Sequence, residues 1–166
     1  MKNLSQPSDY ALFFEAQAET ETSVVDAYDM ACAYPRHETA ARKAGFDVTR
    51  HGTVEDVLTD LHWTASGRFR GRHRDISVSV TEAIPPVRLH VVTRIDLIDA
   101  HSDIQFFETG RNRCQIRLKL GLVPHTLAAR LLIQPLRLSR PRITRRLTHA
   151  LTRFARKAER RARRQA

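Results

Sequence analysis

The sequence predicts an α+β protein in which a curved antiparallel sheet of about seven strands is followed by a long C-terminal helix, with two short helices near the start. Three observations carry this reading. Apolar and polar side chains alternate at period two from Phe14 to Glu21 and again in runs from Phe46 to Leu122, with turn residues between the runs. After Pro124 the apolar period lengthens to that of a helix. Positive charge is concentrated in that last segment, apart from the alternating region.

A chain of 166 residues, 42% hydrophobic and 28% charged, is long enough for one domain with a real core and too short for two. The expected plan is a flexible N-terminus over residues 1–9, a folded domain over 10–155, and a basic tail over 156–166 that continues the last helix. From Thr126 to Ala166 thirteen Arg and Lys face the single Glu159, so this part carries +12 of the formal net charge of +10 and the rest carries −2. Such an asymmetry fits a surface that meets something anionic, whether nucleic acid, lipid headgroups or an acidic partner, and it equally fits a solvated helix face. The N-terminus lacks the apolar run of a signal peptide, and no stretch approaches the about 18 apolar residues of a membrane span, so a cytoplasmic location is expected. Cys32 and Cys114 stand alone in apolar surroundings and read as small buried hydrophobes.

The first strand shows in Phe14, Ala16, Ala18 and Thr20 alternating with Glu15, Gln17, Glu19 and Glu21. Ser23 then precedes Asp26 by three residues, the spacing of a capping box, and predicts a short helix through Tyr28, Met30 and Ala31. A second begins near Pro35, whose missing N–H costs nothing in a first turn, and stops at Gly45. Strands follow over Phe46 to His51, from Leu61 through Trp63 and Ala65 to Phe69, and around Ile76, Val78 and Val80. Pro85-Pro86 breaks the chain before Val87, Leu89, Val91, Thr93, Ile95 and Leu97. Ile104 and Phe106 lead to a turn at Gly110-Arg111-Asn112, and Ile116, Leu118, Leu120 and Leu122 alternate after it. Leu127, Leu131, Leu138, Leu147, Leu151, Phe154 and Ala158 then recur at helical spacing. Pro135 and Pro141 interrupt this last element, which predicts either a bend or a short helix followed by a long one capped at Ser139.

One strand, two short helices, a run of antiparallel strands and a long C-terminal helix is an element order that resembles the helix-grip fold of the SRPBCC (START/Bet v 1-like) superfamily. Within it the chain is most similar to small bacterial members of the polyketide cyclase/dehydrase or lipid-transport kind. The stretches Gly67-Arg68-Phe69-Arg70-Gly71-Arg72-His73-Arg74 and Leu127-Ala128-Ala129-Arg130-Leu131-Leu132-Ile133-Gln134, then Leu136 to Arg146, carry the likeness. The resemblance implies an apolar cavity between sheet and C-terminal helix that takes a lipid, polyketide, sterol or hormone. Pro135 and Pro141 depart from the unbroken helix usual in such proteins.

Period-two phase assigns the side chains that would line such a cavity. From the strands these are Trp63 and Phe69, Ile76 and Val78, Val91, Thr93 and Ile95, Ile104 and Phe106, with Ile116 and Leu118 in the same phase; Met30 and Leu131 join them from helices. Only Thr93 adds a mid-strand hydroxyl, while Arg50, Arg74, Glu82 and Glu108 come into phase near strand ends, where they would ring a mouth. An apolar lining with few polar groups suits a hydrophobic small molecule or lipid.

Catalysis needs polar groups converging within hydrogen-bond reach, and His62, His90, Asp96 and His101 fall on the outward phase or in a turn, so no catalytic residue is assigned and a noncatalytic binder is expected. A cyclase-like enzyme is the alternative. The histidines lack ligand spacing, His149 included, and no glycine-rich phosphate loop occurs, so no metal or cofactor is expected. Arg153, Arg156, Lys157, Arg160, Arg161, Arg163 and Arg164 form the candidate anionic-surface site, for membrane or nucleic acid. Phe154 is the segment's one aromatic residue and belongs to the apolar stripe, which gives base stacking little support.

Overall fold

A computed structural model describes residues 7–52, 61–69 and 71–165; of Pro7, Phe69 and Gln165 it describes the backbone alone. The expected flexibility of residues 1–6 and the cavity role of the Phe69 side chain thus lie outside what is described. The strands are β1 (Leu12–Thr20), β2 (Phe46–His51), β3 (His62–Phe69), β4 (Arg72–Ile84), β5 (Arg88–Ile95), β6 (Ile98–Gly110) and β7 (Arg113–Pro124). The helices are α1 (Val24–Ala31), α2 (Tyr34–Lys43), α3 (Leu127–Leu138) and α4 (Arg140–Gln165).

All pairings are antiparallel, and the sheet order is β1-β7-β6-β5-β4-β3-β2. β1 and β2, consecutive in sequence, therefore lie at opposite edges, and α1 and α2 carry the chain between them. Ser23 starts α1 as its spacing predicts, accepting the Asp26 N–H at 3.0 Å while its hydroxyl donates to the Asp26 carboxylate at 2.6 Å. Gly45 follows α2 at φ 91°, a left-handed conformation that a glycine takes without steric cost.

Register places the apolar phase on one face. Trp63 is opposite Val78, and Val78 opposite Thr93. Farther along, Leu89 is opposite Ile104, Ile104 opposite Leu118, and Leu118 opposite Ala16. Register shifts between Val80 and Glu82 and between Glu108 and Gly110 interrupt the ladders, and irregularities of this kind bend the strands that carry them. The first reverses the phase of β4. Glu82, expected at the mouth with the inward residues, instead lies opposite the outward His90 and pairs with Arg88 at 3.0 Å.

α4 packs chiefly along β1 rather than across the middle of the sheet, so it faces β3–β5 across an open space. Near β1, Phe106 meets Tyr28 edge to face with ring centroids 5.6 Å apart, and Cys114 and Ile116 are fully buried. Leu12, Phe14 and Ile133 form a second buried cluster that seats α3 against the edge strand.

The two prolines produce a break. Ser139 separates the helices: its N–H reaches the Pro135 carbonyl at 3.3 Å, and its own carbonyl accepts the Ile143 N–H at 3.0 Å. Pro135 lies in the last turns of α3, and Pro141 in the first turn of α4, where a missing N–H goes unnoticed. Beyond Phe154 the chain stays on the fold. Leu151, Ala155 and Ala158 form a buried stripe, and Glu159 accepts the Glu21 N–H at 3.0 Å. The Thr20 hydroxyl lies 3.2 Å from both the Ala155 carbonyl and Glu159 Oε1.

Candidate functional site

Between the concave face of β3–β7, α2 and α4 lies a cavity of about 470 Å³. It exists because its walls are built from short side chains. Val78, Val80 and Val91 line the sheet side, Ala41 the α2 side and Ala150 the α4 side. Trp63, Ile104, Ile116 and Leu118 complete the sheet wall, and Leu147, Leu151 and Phe154 close it from α4.

Of the residues read as ligand-binding from the sequence, Trp63, Val78, Val91 and Ile104 line this cavity. Met30 and Phe106 are buried outside its lining. Ile76, Thr93 and Ile95 are half-buried toward the far end of the strands and do not border it. Leu131 is 71% exposed and faces solvent. It shares an apolar helix with the buried Ile133, and spacing alone does not say which of two apolar faces of α3 is covered.

The cavity's polar groups come from α2, where strand phase is silent. Tyr34, Glu38 and Ala41 recur at i, i+4 and i+7 and turn one helical face to the cavity, with His37 beside them. Glu38 is only 8% exposed, yet its Oε1 accepts from Arg50 Nε at 2.6 Å and from Trp63 Nε1 at 2.8 Å. These donors offset the cost of burying a carboxylate, and the Arg50 hydrogen bond holds its pKa below the usual range. Arg50, expected to ring a mouth, instead pairs with Glu38 and is not itself part of the lining. Arg74 pairs with Asp96 away from the cavity, and Glu108 is exposed at the end of β6.

Tyr34 is buried against Trp63 with ring centroids 5.0 Å apart, and its hydroxyl has no hydrogen-bond partner among the described residues. The Cys32 thiol lies beside the Tyr34 and Tyr28 hydroxyls, and burial raises the pKa of all three. An apolar chamber with one polar wall therefore holds an ionised acceptor at Glu38 beside the buried ring of Tyr34. The helical spacing of Tyr34 and Glu38 was the one sequence signal for this wall, and a reading confined to the strands passes over it.

His90 and His101 lie on the opposite face of the sheet, ring centroids 5.5 Å apart, with the Thr81 hydroxyl 2.6 Å from His90 Nδ1. Burial lowers the pKa of both. Among the described residues no group of three His, Cys, Asp or Glu is placed to hold a metal ion, and no helix is long and apolar enough to cross a membrane.

A seven-stranded antiparallel sheet curved around a cavity, with a long C-terminal helix along it, is a helix-grip fold. The solved structures that share it include enzymes and a START protein. The chain is similar to the Zhui aromatase/cyclase from Streptomyces sp. R1128, with TM-score 0.64 and 11% identity over 90% of this chain and 94% of that one. It is similar to truncated norcoclaurine synthase from Thalictrum flavum, with TM-score 0.63 and 14% identity over 87% of this chain and 90% of that one. A START superfamily protein from Mycobacterium smegmatis matches with TM-score 0.57 and 10% identity over 93% and 99% of the two chains. No protein-family model matches the sequence, and no curated protein matches it.

Proposed function

We propose that the protein binds, and hands on without chemical change, a hydrophobic small molecule or lipid held between sheet and α4. The observation that carries this is the cavity of about 470 Å³, within the range of small-molecule sites, with apolar walls and one polar corner. In this reading Val78, Val91, Ile104 and Trp63 contact the apolar body of the ligand. Its polar end meets Tyr34 and Glu38. Two unpaired cysteines suit a reducing compartment, in keeping with the cytoplasm.

A cyclase-like activity is the second reading, favoured by the Glu38 carboxylate on the cavity wall, which strand phase does not reveal. Against it, a general base works best with a pKa near the working pH, and the Arg50 hydrogen bond moves Glu38 the other way. The C-terminal cations also support an anionic contact through their number. Part of that cluster is engaged in docking α4: Arg161 approaches the Met30 sulfur at 3.8 Å and Arg163 pairs with Glu21 at 3.3 Å.

Native mass spectrometry of the purified protein, followed by solvent extraction, tests the binding reading. A copurified apolar molecule, or saturable uptake of an apolar fluorescent dye that Val91→Trp abolishes, is the expected result. Absence of both overturns it, and turnover of an extracted compound lost in Glu38→Gln would shift the reading to an enzyme.

A further inference from the structure

The helix α3 has two apolar faces, and the protein covers one. Ala129, Ile133 and Leu136, at i, i+4 and i+7, pack toward the body, with Ala129 and Ile133 fully buried. On the other side Leu127, Leu131, Leu132 and Leu138 are 79%, 71%, 74% and 91% exposed. Leu127, Leu131 and Leu138 fall in one stripe at i, i+4 and i+11, and exposed Ala128, Leu132 and Pro135 widen it. Exposed leucines scattered singly need no explanation, but this many on one helix face is a surface built to be covered.

Its border is cationic. Arg130 and Arg137 run along one flank at i and i+7, and Arg140, Arg142, Arg145 and Arg146 follow in the first turns of α4. Arg137 and Arg140 also reach the Ala11 and Phe13 carbonyls at 3.4 and 2.6 Å, which fixes the helix pair against the sheet edge. From Thr126 to Arg146 the chain carries six arginines and no acidic residue.

We propose that this leucine face of α3 docks on an anionic lipid surface, with the leucines in the headgroup–acyl boundary and the arginines against lipid phosphates. An apolar stripe edged by arginine is the pattern of helices that lie in the interface plane. The charge selects this occupant over others. A second copy would bring its own arginines against the first, and nucleic acid would leave the leucines idle, with no aromatic residue in α3 to stack on bases. The site is distinct from the C-terminal cluster at Arg153 to Arg164 and independent of the cavity.

Co-sedimentation of the full chain with phosphatidylcholine vesicles, with and without phosphatidylglycerol, tests this. Wild-type protein is expected to bind only the anionic vesicles, with binding weakened by salt. Leu131→Asp and Leu132→Asp are each expected to lower vesicle partition about tenfold or more. Their circular dichroism and dye uptake stay unchanged, because both side chains face solvent. Equal binding of the leucine variants, no vesicle binding, or equal binding to neutral vesicles overturns the proposal. So does a dimer in lipid-free solution that Leu131→Asp makes monomeric, or RNA binding indifferent to Leu131→Asp in the absence of vesicle binding.

Discussion

Trp63 donates its indole N–H to Glu38 at 2.8 Å, which ties β3 to α2 at the edge of the cavity. Arg50 on β2 donates to the same oxygen at 2.6 Å. One buried carboxylate thus joins α2 to both of the paired strands β2 and β3, and it gives the cavity its polar corner. A carboxylate so placed is tolerated because its donors replace water, and removing them leaves an uncompensated charge.

Glu38→Gln is expected to lower unfolding free energy by about 1–3 kcal/mol, read from the shift in urea midpoint. The sign of its pH dependence follows from the depressed carboxyl pKa. The unfolded state binds the proton first, near about pH 4.3, so Glu38's contribution is present above that pH and lost as pH falls through the lower folded value. The wild type should lose more stability than Glu38→Gln across that acid window; parallel pH profiles for the two proteins would contradict this.

Filling the chamber should abolish uptake and leave a fold. Val78→Trp or Val91→Trp adds bulk to a wall that now ends in short side chains, at a cost of about 1–3 kcal/mol if the space absorbs part of it. Titration with an apolar dye should show no saturable binding by either variant. Leu131→Ala should bind as the wild type does, because that side chain lies outside the cavity.

His90 and His101 should make the fold less stable in mild acid. Burial lowers both folded pKa values, so the unfolded chain takes up protons first, near about pH 6.5. Their contribution is present above that pH and declines as pH drops toward the folded values. Melting temperature should therefore fall between neutral pH and about pH 5, and His101→Gln should flatten the slope; an unchanged slope would show that this ring does not titrate with unfolding.

The end of α4 should matter to stability. Glu159→Ala removes the acceptor for the Glu21 N–H beside the Thr20 hydroxyl and is expected to cost about 1–2 kcal/mol. Truncation after Phe154 should cost more, since Ala155 and Ala158 are buried. Unaltered melting of the truncated chain would mean that the Arg-rich end does not hold the fold.

The strands and the caps were legible in the sequence because their causes are local. Ser23 and Asp26 cap a helix within four residues, and Ile116 to Leu122 alternate because a strand sends neighbours to opposite faces. Phase carried Trp63, Val78, Val91 and Ile104 to the cavity wall. It failed at Glu82, where the irregularity in β4 moved one residue to the other face, an event that no alternation announces.

The sequence by itself determined which faces are apolar: the inward face of each strand, both faces of α3, and the stripe of α4 from Leu147 to Ala158. Tertiary structure decided which of them are covered. Ile133 on α3 is buried while Leu131 is left to solvent, and Val91 borders a cavity rather than a filled core because α4 follows β1 and stands off from β3–β5. It also placed Glu38 within reach of both Trp63 and Arg50, across twenty-five and twelve residues of chain. Periodicity reports the environment that each side chain prefers; only the packing of distant elements says which neighbours occupy it.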